Sequence, residues 1–468
     1  MKIQCLIRVL LALPLSALAA DPPPPAVAQA LRVAGIPVGA VGISVQEVGA
    51  TRPLLSVNPD LPLNPASSMK LVTTFAGLEL LGPAYRWRTE TYLGGPLREG
   101  VLEGDLILKG SGDPKLNIEA FWMLLRDLRG RGLKDIRGDL VLDRSQYATG
   151  DYDAARFDGE SLRPYNVGPD PLLLNFKSVR FLFSPDPEHG GVRVAAEPRI
   201  IETVSVVRLA EGPCGDWRER LKPDFQPQSM PPRALFTGSY NAACGERDWH
   251  VALLSPNQYA GSLFRLLWTE LGGTISGSVR DGTTPAQAKP FASIESPALA
   301  EVVRDINKYS NNVMARQLYL AIAADQAGLP ATTENGQRAI KAWLAKKGLD
   351  FPDLVIENGA GLSRVERISA QSLTTLLVAA FRSPLMPELV ASLPLVSVDG
   401  TMRRRMKSEA IAGQAHIKTG SLADVRSIAG YVLDRSGRRH AVTMIVNHPN
   451  AAQSQAAQDA LLNWVYAR

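Results

Sequence analysis

Ser67 and Lys70 stand three positions apart in Pro65-Ala66-Ser67-Ser68-Met69-Lys70-Leu71-Val72. A serine hydroxyl is a poor nucleophile until a base removes its proton, and an amine three residues on along a helix lies on the same face, within reach of it. At an ordinary pKa of about 10.4, only about one lysine in 2,500 is neutral at pH 7, so a lysine base needs burial or a neighbouring cation to lose its charge. His416-Ile417-Lys418-Thr419-Gly420-Ser421 offers that cation in Lys418, and Tyr309-Ser310-Asn311-Asn312 offers a second hydroxyl and an amide. Together these are the parts of acyl transfer through a covalent serine intermediate. Each part also has a plainer use. Ser67 suits a helix cap and Lys70 a solvated first turn; Ser310 and Asn312 suit capping, and Lys418-Thr419-Gly420 suits a strand end and turn. The ordered occurrence of all three groups favours chemistry over coincidence. No rival site competes: His189, His250, His416, His440 and His448 lack metal-ligand spacing, and no nucleophile-elbow motif accompanies them.

The elements that must position these groups follow from patterning. After Lys70 come Leu71, Val72, Phe75, Ala76, Leu78, Leu80 and Leu81, closed by Gly82-Pro83. That is a helix apolar on nearly every side, which predicts a path through a core. Val41 to Val48 alternates at period two and Leu54 to Val57 returns, giving two strands before it. Ala415 to Lys418, Ile428 to Leu433 and Ala441 to Val446 read as strands, the last two as a hairpin across Arg435-Ser436-Gly437, followed by a helix over Ala456 to Tyr466. Helices are expected at Ala298 to Tyr309, Asn312 to Ala324, Gly336 to Lys347 and Ala370 to Phe381. Between the flanks, Trp87 to Leu93, Leu102 to Lys109, Ile136 to Leu142 and Thr274 to Val279 read as strands, and Ile118 to Leu128 and Leu263 to Leu271 as helices. Residues 170 to 255 carry short strands and frequent turns. Two early strands, three late ones and helices between them predict one α/β domain whose chain is interrupted by a long insertion.

The chain has 468 residues, enough for two or three domains. Lys2 and Arg8, then the apolar Val9 to Leu18 and the small-x-small Ala17-Leu18-Ala19, predict a secretory signal over residues 1–19, cleaved after Ala19 or Ala20. The run is too short to span a bilayer, Asp21-Pro22-Pro23-Pro24-Pro25 ends it, and no later segment reads as a transmembrane anchor. Fifty-one basic residues face 46 acidic ones, a net charge of +5 that drops by two when Lys2 and Arg8 leave. No basic run interleaved with aromatics argues for nucleic acid, and Arg403-Arg404-Arg405 reads as a solvated helix face. Cys5 leaves with the signal. Cys214 and Cys244 remain, an even pair that points to a disulfide in an exported chain, two buried free thiols being the other reading.

Ser67-x-x-Lys70, Ser310-x-Asn312 and Lys418-Thr419-Gly420, in that order, are the set of penicillin-binding proteins and serine β-lactamases. The gap of about 240 residues between the first and second motifs makes the chain similar to the type-4 class C penicillin-binding proteins, the D-alanyl-D-alanine carboxypeptidase/endopeptidases. Gly110-Ser111-Gly112-Asp113-Pro114, Asn358 to Arg364 and Val398-Asp399-Gly400-Thr401-Met402 add to the resemblance, which spans nearly the whole mature chain. It implies a multidomain α/β and β architecture. A penicillin-binding-protein/serine β-lactamase-like transpeptidase domain (20–86 and 292–468), with an antiparallel five-stranded sheet flanked by helices, is interrupted by an inserted α+β domain (87–169 and 256–291). That insert carries a smaller β-rich domain (170–255).

The resemblance also implies a periplasmic serine peptidase acting on peptidoglycan stem peptides and cross-links, acylated by β-lactams at Ser67 and needing no metal or cofactor. Lys70 is the implied base, Ser310 the relay to the leaving amine, and Asn312 the group that holds Lys70 and the substrate amide. Lys418, Thr419 and Ser421, with Gly420 between them, bind the terminal carboxylate, and the backbone N–H groups of Ser67 and Ser421 form the oxyanion hole. Asp151, with Asp153 close by, and Arg364 match places that recognise the charged third residue of the stem peptide; a surface loop is the other reading of Asp151. The alternatives are a β-lactamase, which needs a dedicated water-activating group for fast deacylation, and a non-catalytic wall-binding or scaffold protein of the same fold. Nothing in the sequence speaks to oligomeric state.

Overall fold

The computed structural model describes residues 21–148, 150 and 152–468. The expected signal segment and Asp151 lie outside the described residues.

The strands Val425–Leu433 and Arg439–Asn447, apolar from Ile428 to Leu433 and, apart from Thr443, from Ala441 to Val446, lie side by side within a five-stranded sheet. Its order is Ala415–Ser421, Val425–Leu433, Arg439–Asn447, Val41–Glu47, Leu55–Val57, antiparallel throughout. Successive side chains of a strand point to opposite faces, so a run without polar alternation has both faces covered. Ala429, Tyr431, Ala441 and Ile445 join one core with the helices Lys70–Leu80, Leu299–Lys308, Asn312–Ala327, Thr333–Lys346 and Ala370–Phe381. Ile428, Val432, Val442 and Met444 join another with the helices Pro25–Val33 and Gln455–Tyr466. The Lys70–Leu80 helix is buried from Lys70 to Leu78, as its all-round apolar pattern requires.

The first of the two terminal helices is not expected from the sequence, where Pro22 to Pro25 reads as a low-complexity patch. Pro25 stands in the first turn, where its missing N–H costs nothing, and Val27 and Leu31 recur one turn apart and are buried. Arg403-Arg404-Arg405 is not a solvated helix face: the segment is a turn, and the Arg405 guanidinium turns inward to pair with Asp459.

The middle of the chain differs from expectation in one instructive way. Leu102 to Lys109, Ile136 to Leu142 and Thr274 to Val279, each expected as one strand, are each split in two. The first halves, Val101–Leu102, Asp135–Ile136 and Thr274–Ile275, pair in parallel in a four-stranded sheet. The second halves, Leu106–Gly110, Leu140–Asp143 and Val279–Asp281, pair in parallel in a five-stranded one. The three jogs stack on glycines. Gly138 N–H donates to Gly104 O at 3.0 Å, and Gly277 N–H to Gly138 O at 3.2 Å. A Cβ on Gly138 would fall 2.5 Å from the Gly104 carbonyl carbon, and one on Gly277 2.2 Å from Gly138 O. Only hydrogen fits between these backbones.

The helix Pro256–Glu270 begins two turns earlier than apolar periodicity suggests, because Ser255 and Gln258 form a reciprocal capping box. The intervening segment is a six-stranded sheet from Val179–Asp186 to Arg247–Val251, with strands of five to nine residues built around Phe181, Phe183 and Phe236. Cys214 and Cys244 are bonded to each other at the end of this sheet.

Alanine at position 138 is expected to destabilise the protein by about 1–3 kcal/mol, the usual cost of overpacking, although Gly→Ala at a glycine without positive φ otherwise stabilises through the unfolded chain. Urea unfolding of Gly138→Ala against wild type measures this; an equal or higher midpoint would show that the glycine column is not a close-packed contact.

Candidate active site

Ser67 stands in a 3-10 turn, Ala66–Met69, rather than in the first turn of the α-helix, which begins at Lys70. The tighter winding eclipses positions i and i+3, so Ser67 and Lys70 are aligned more directly than an α-helix would align them. Ala66 carries φ +47°, a left-handed conformation that a non-glycine residue holds only when its surroundings impose it. Those surroundings are visible. Asn64 Oδ1 accepts from Ala66 N–H at 2.9 Å, and Asn64 itself is braced to Asn447 of the sheet by bonds of 2.8 and 2.9 Å. Ser427 Oγ donates to Pro65 O at 2.6 Å and lies 2.8 Å from Ser68 Oγ. Gly361, at φ +77°, leaves room for Ala66 O, which a Cβ there would approach to 1.9 Å.

Lys70 is fully buried, and its Nζ meets Ser67 Oγ at 2.9 Å, Asn312 Oδ1 at 2.6 Å and the carbonyl of Ala360. Two of these partners can only accept. A neutral amine has two N–H bonds and one lone pair. If the N–H bonds serve Asn312 and Ala360, the lone pair is left facing the Ser67 hydroxyl. Burial pushes the Lys70 amine well below its ordinary range, and the Lys418 and Arg316 cations push the same way, while Glu366 opposes them. Lys418, also buried, is pushed down to about 7 by desolvation.

Ser310 and Asn312 are free of capping duty because Asn311 takes it: Asn311 Oδ1 accepts from Met314 N–H at 3.0 Å at the start of the Asn312–Ala327 helix. Ser310 has φ +56°, and its Oγ accepts from Lys418 Nζ at 2.8 Å. Just before it, the buried Lys308 pairs with Asp399 at 2.6 Å, tying the end of the Leu299–Lys308 helix to the Val398–Met402 loop. Thr401 of that loop places its Oγ1 2.7 Å from Thr419 Oγ1.

The strand Ala415–Ser421 is the edge of its sheet. Leu422 N–H closes the hairpin onto Val425 O, and alternate residues of an antiparallel strand point their amides to opposite sides, so the Ser421 N–H faces the open edge. Gly420 must lack a side chain. A Cβ there would fall 2.5 Å from Pro65 O and 3.0 Å from Ser67 N. The missing carbon lets the strand close against the backbone of the serine turn.

The structure thus brings Ser67, Lys70 and Asn312 into direct contact, sets Lys418 against Ser310, and lays Gly420 against the Ser67 turn, with Thr419 and Ser421 flanking it on the same strand. Arg364 lies to one side, half exposed, 4.4 Å over the Phe157 ring and 3.5 Å from Asp424. It lines a cavity of about 430 Å³ with Tyr152, Asp153, Phe157, Arg316 and Glu357. Among the described residues, no group of His, Cys, Asp or Glu could hold a metal ion.

The sequence alone did not single out Asn64, Ala360, Glu366, Thr401 or Ser427. Ala360 acts through a carbonyl, which has no residue-type signature. Ser68 and Ser427 look like any other serines until the fold pairs them. Asn358 to Arg364 and Val398 to Met402 carry the family resemblance as segments, which gives a role to Arg364 and to no other residue in them.

Comparison with known proteins places the chain. It matches the D-Ala-D-Ala carboxypeptidase 3 (S13) family over residues 26–467. The D-alanyl-D-alanine carboxypeptidase of Actinomadura sp. (strain R39) is 30% identical over 450 residues, 90% of this chain and 80% of that one. The D-alanyl-D-alanine carboxypeptidase DacB of Haemophilus influenzae is 24% identical over 418 residues, 87% of this chain and 85% of that one. In fold, the crystal structure of penicillin binding protein 4 (dacB) from Haemophilus influenzae is similar, with a TM-score of 0.79 at 23% identity over 94% of this chain and 99% of that one. A second structure of that protein, complexed with a novel β-lactam, gives 0.74 over the same shares. Because the family match runs almost from end to end, the chain belongs to the D-Ala-D-Ala carboxypeptidase 3 (S13) family.

Proposed function

We propose that the protein is a serine-type D-alanyl-D-alanine carboxypeptidase that works through an acyl-enzyme on Ser67 and also cleaves D,D-cross-links of peptidoglycan. The observation that carries this reading is the buried Lys70 amine, 2.9 Å from Ser67 Oγ, with its other bonds directed at two carbonyls. The neutral amine takes the hydroxyl proton as Ser67 Oγ attacks the carbonyl between two D-alanines. Charge developing on the carbonyl oxygen is met by the N–H groups of Ser67 and Ser421. The departing amine receives a proton from the Ser310 hydroxyl, which Lys418 Nζ refills. In the second half, water adds to the ester and gives its proton through Ser310 to Lys418, while the Lys70 ammonium returns its proton to the departing Ser67 oxygen, so that the acid product leaves and both lysines end as they began.

Lys418, Thr419 and Ser421 hold the terminal carboxylate, and the open edge of the strand pairs with the extended peptide. Asn312 keeps Oδ1 on Lys70 and offers Nδ2 to the substrate amide. Arg364, with Asp151, recognises the charged third residue of the stem peptide. Penicillins acylate Ser67 because a strained lactam presents the same reacting carbonyl beside a carboxylate. The site of action we propose is the periplasm, which the secretory signal expected over residues 1–19 supports; among the described residues no helix is long and apolar enough to cross a membrane.

Mass spectrometry of muropeptides after incubation distinguishes loss of one alanine from loss of a cross-link. Wild type is expected to produce both, and Ser67→Ala neither; unchanged muropeptides with folded wild type would refute the reading. Lys70→Gln should slow acylation by about 10²–10⁴-fold, the range of a positioned general base, as measured by stopped-flow labelling with a fluorescent penicillin. The charged form of Lys418 binds carboxylate, and that charge is lost as pH rises through about 7. So kcat/KM for a free-carboxylate peptide should fall on the alkaline side. The corresponding limb in kcat should lie higher, because bound carboxylate favours the ammonium; coincident limbs would contradict this role for Lys418.

A further inference from the structure

Glu366 is fully buried, yet it lies in none of the three motifs. One of its oxygens, Oε1, accepts three successive backbone amides: Glu357 at 3.0 Å, Asn358 at 3.0 Å and Gly359 at 3.1 Å. Its other oxygen has no hydrogen-bond partner among the described residues. Three converging N–H groups make a backbone nest that favours an anion, and they bend the chain sharply around it. The bend is closed by Asn358, whose Nδ2 donates to Leu362 O at 3.0 Å and whose Oδ1 accepts from Ala360 N–H at 2.9 Å. The next contacts lead to the reacting groups. Gly359 O accepts from Thr73 Oγ1 at 2.7 Å, one turn beyond Lys70, and Ala360 O accepts from Lys70 Nζ.

Charged groups approach Lys70 from three elements: Lys418 from the edge strand, Arg316 from the Asn312–Ala327 helix and Glu366 from this loop. Glu366 is the counterweight to the two cations. Burial raises its carboxyl above the ordinary range, Glu357 nearby adds to that, and the three amides hold it down. Tyr319 and the buried Arg316 also feel its charge.

We propose that Glu366 is a positioning residue for the base: its carboxylate, gripped by three backbone amides, shapes the loop that presents the Ala360 carbonyl to Lys70 and places near Lys70 a charge opposite in sign to Lys418 and Arg316. This rests on the reading of Lys70 as the base for Ser67. Removing the charge while keeping the acceptor makes the ammonium less favourable. Lys70 then loses its proton at lower pH, and the acidic limb of acylation moves down.

The test is the acylation rate by a fluorescent penicillin against pH for wild type, Glu366→Gln and Glu366→Asp, with Ser67→Ala as the labelling control. Glu366→Gln is expected to shift the acidic midpoint down by about one pH unit, the low end of the effect of a close opposite charge. Glu366→Asp keeps the charge and shortens the reach, so its midpoint should stay near wild type while its plateau falls by about fivefold or more. An unmoved midpoint in the Gln variant, or equal movement in both, overturns the proposal and leaves the Ser67 reading standing. If the Gln variant does not fold, the Asp variant decides: a lowered plateau at an unmoved midpoint supports the proposal, and an unchanged plateau overturns it. Absence of Ser67-dependent labelling in the folded wild type overturns the Ser67 reading and this proposal together.

Discussion

An amine held without water is the constraint on which the rest depends. A lysine at the protein surface stays charged at neutral pH, and a charged lysine cannot take a proton from serine. As the proposed base for Ser67, Lys70 has to be enclosed, and enclosure is costly unless its remaining hydrogen-bonding capacity is met by fixed acceptors. Asn312 and Ala360 meet it from two different parts of the chain. Much of the surrounding architecture serves this enclosure. The helix that carries Lys70 runs through the core rather than over it, and the sheet edge with Lys418 lies against its start.

Close backbone approach is the second theme. At the site, Gly420 and Gly361 remove the carbons that would separate the serine turn from the strand and from the Asn358–Leu362 loop. Far from the site, Gly104, Gly138 and Gly277 do the same for three parallel jogs. The consequences differ. At the serine turn, the approach brings the edge strand and the Asn358–Leu362 loop up to the backbone on either side of Ser67. In the insert, it lets one set of strands serve two sheets.

The side chains proposed to react were legible in the sequence because such chemistry demands particular residue types in a particular order. The central strands were legible for another reason: burial on both faces leaves a run of apolar residues that no other element of that length explains. What escaped has physical causes. Glycine jogs look like strand interiors until their neighbours are known. The Pro25–Val33 helix is short, and its burial depends on a C-terminal helix more than 400 residues away. Asn311 and Asn312 are adjacent asparagines, and only the backbone path decides which one caps the helix and which reaches Lys70. Glu366 was silent because one acidic residue in a loop carries no spacing signal, whereas three amides converging on its oxygen are plain in three dimensions.

The protonation state of Lys70 in the resting protein tests the account most directly. In protein labelled with ¹³C at lysine Cε, the Lys70 resonance, assigned by its loss in Lys70→Arg, can be followed against pH. Titration far below the ordinary value of about 10.4 is the predicted result, with the amine substantially neutral where the protein is active. A midpoint at or near that ordinary value would contradict the central claim, because the base beside Ser67 would then be an ammonium.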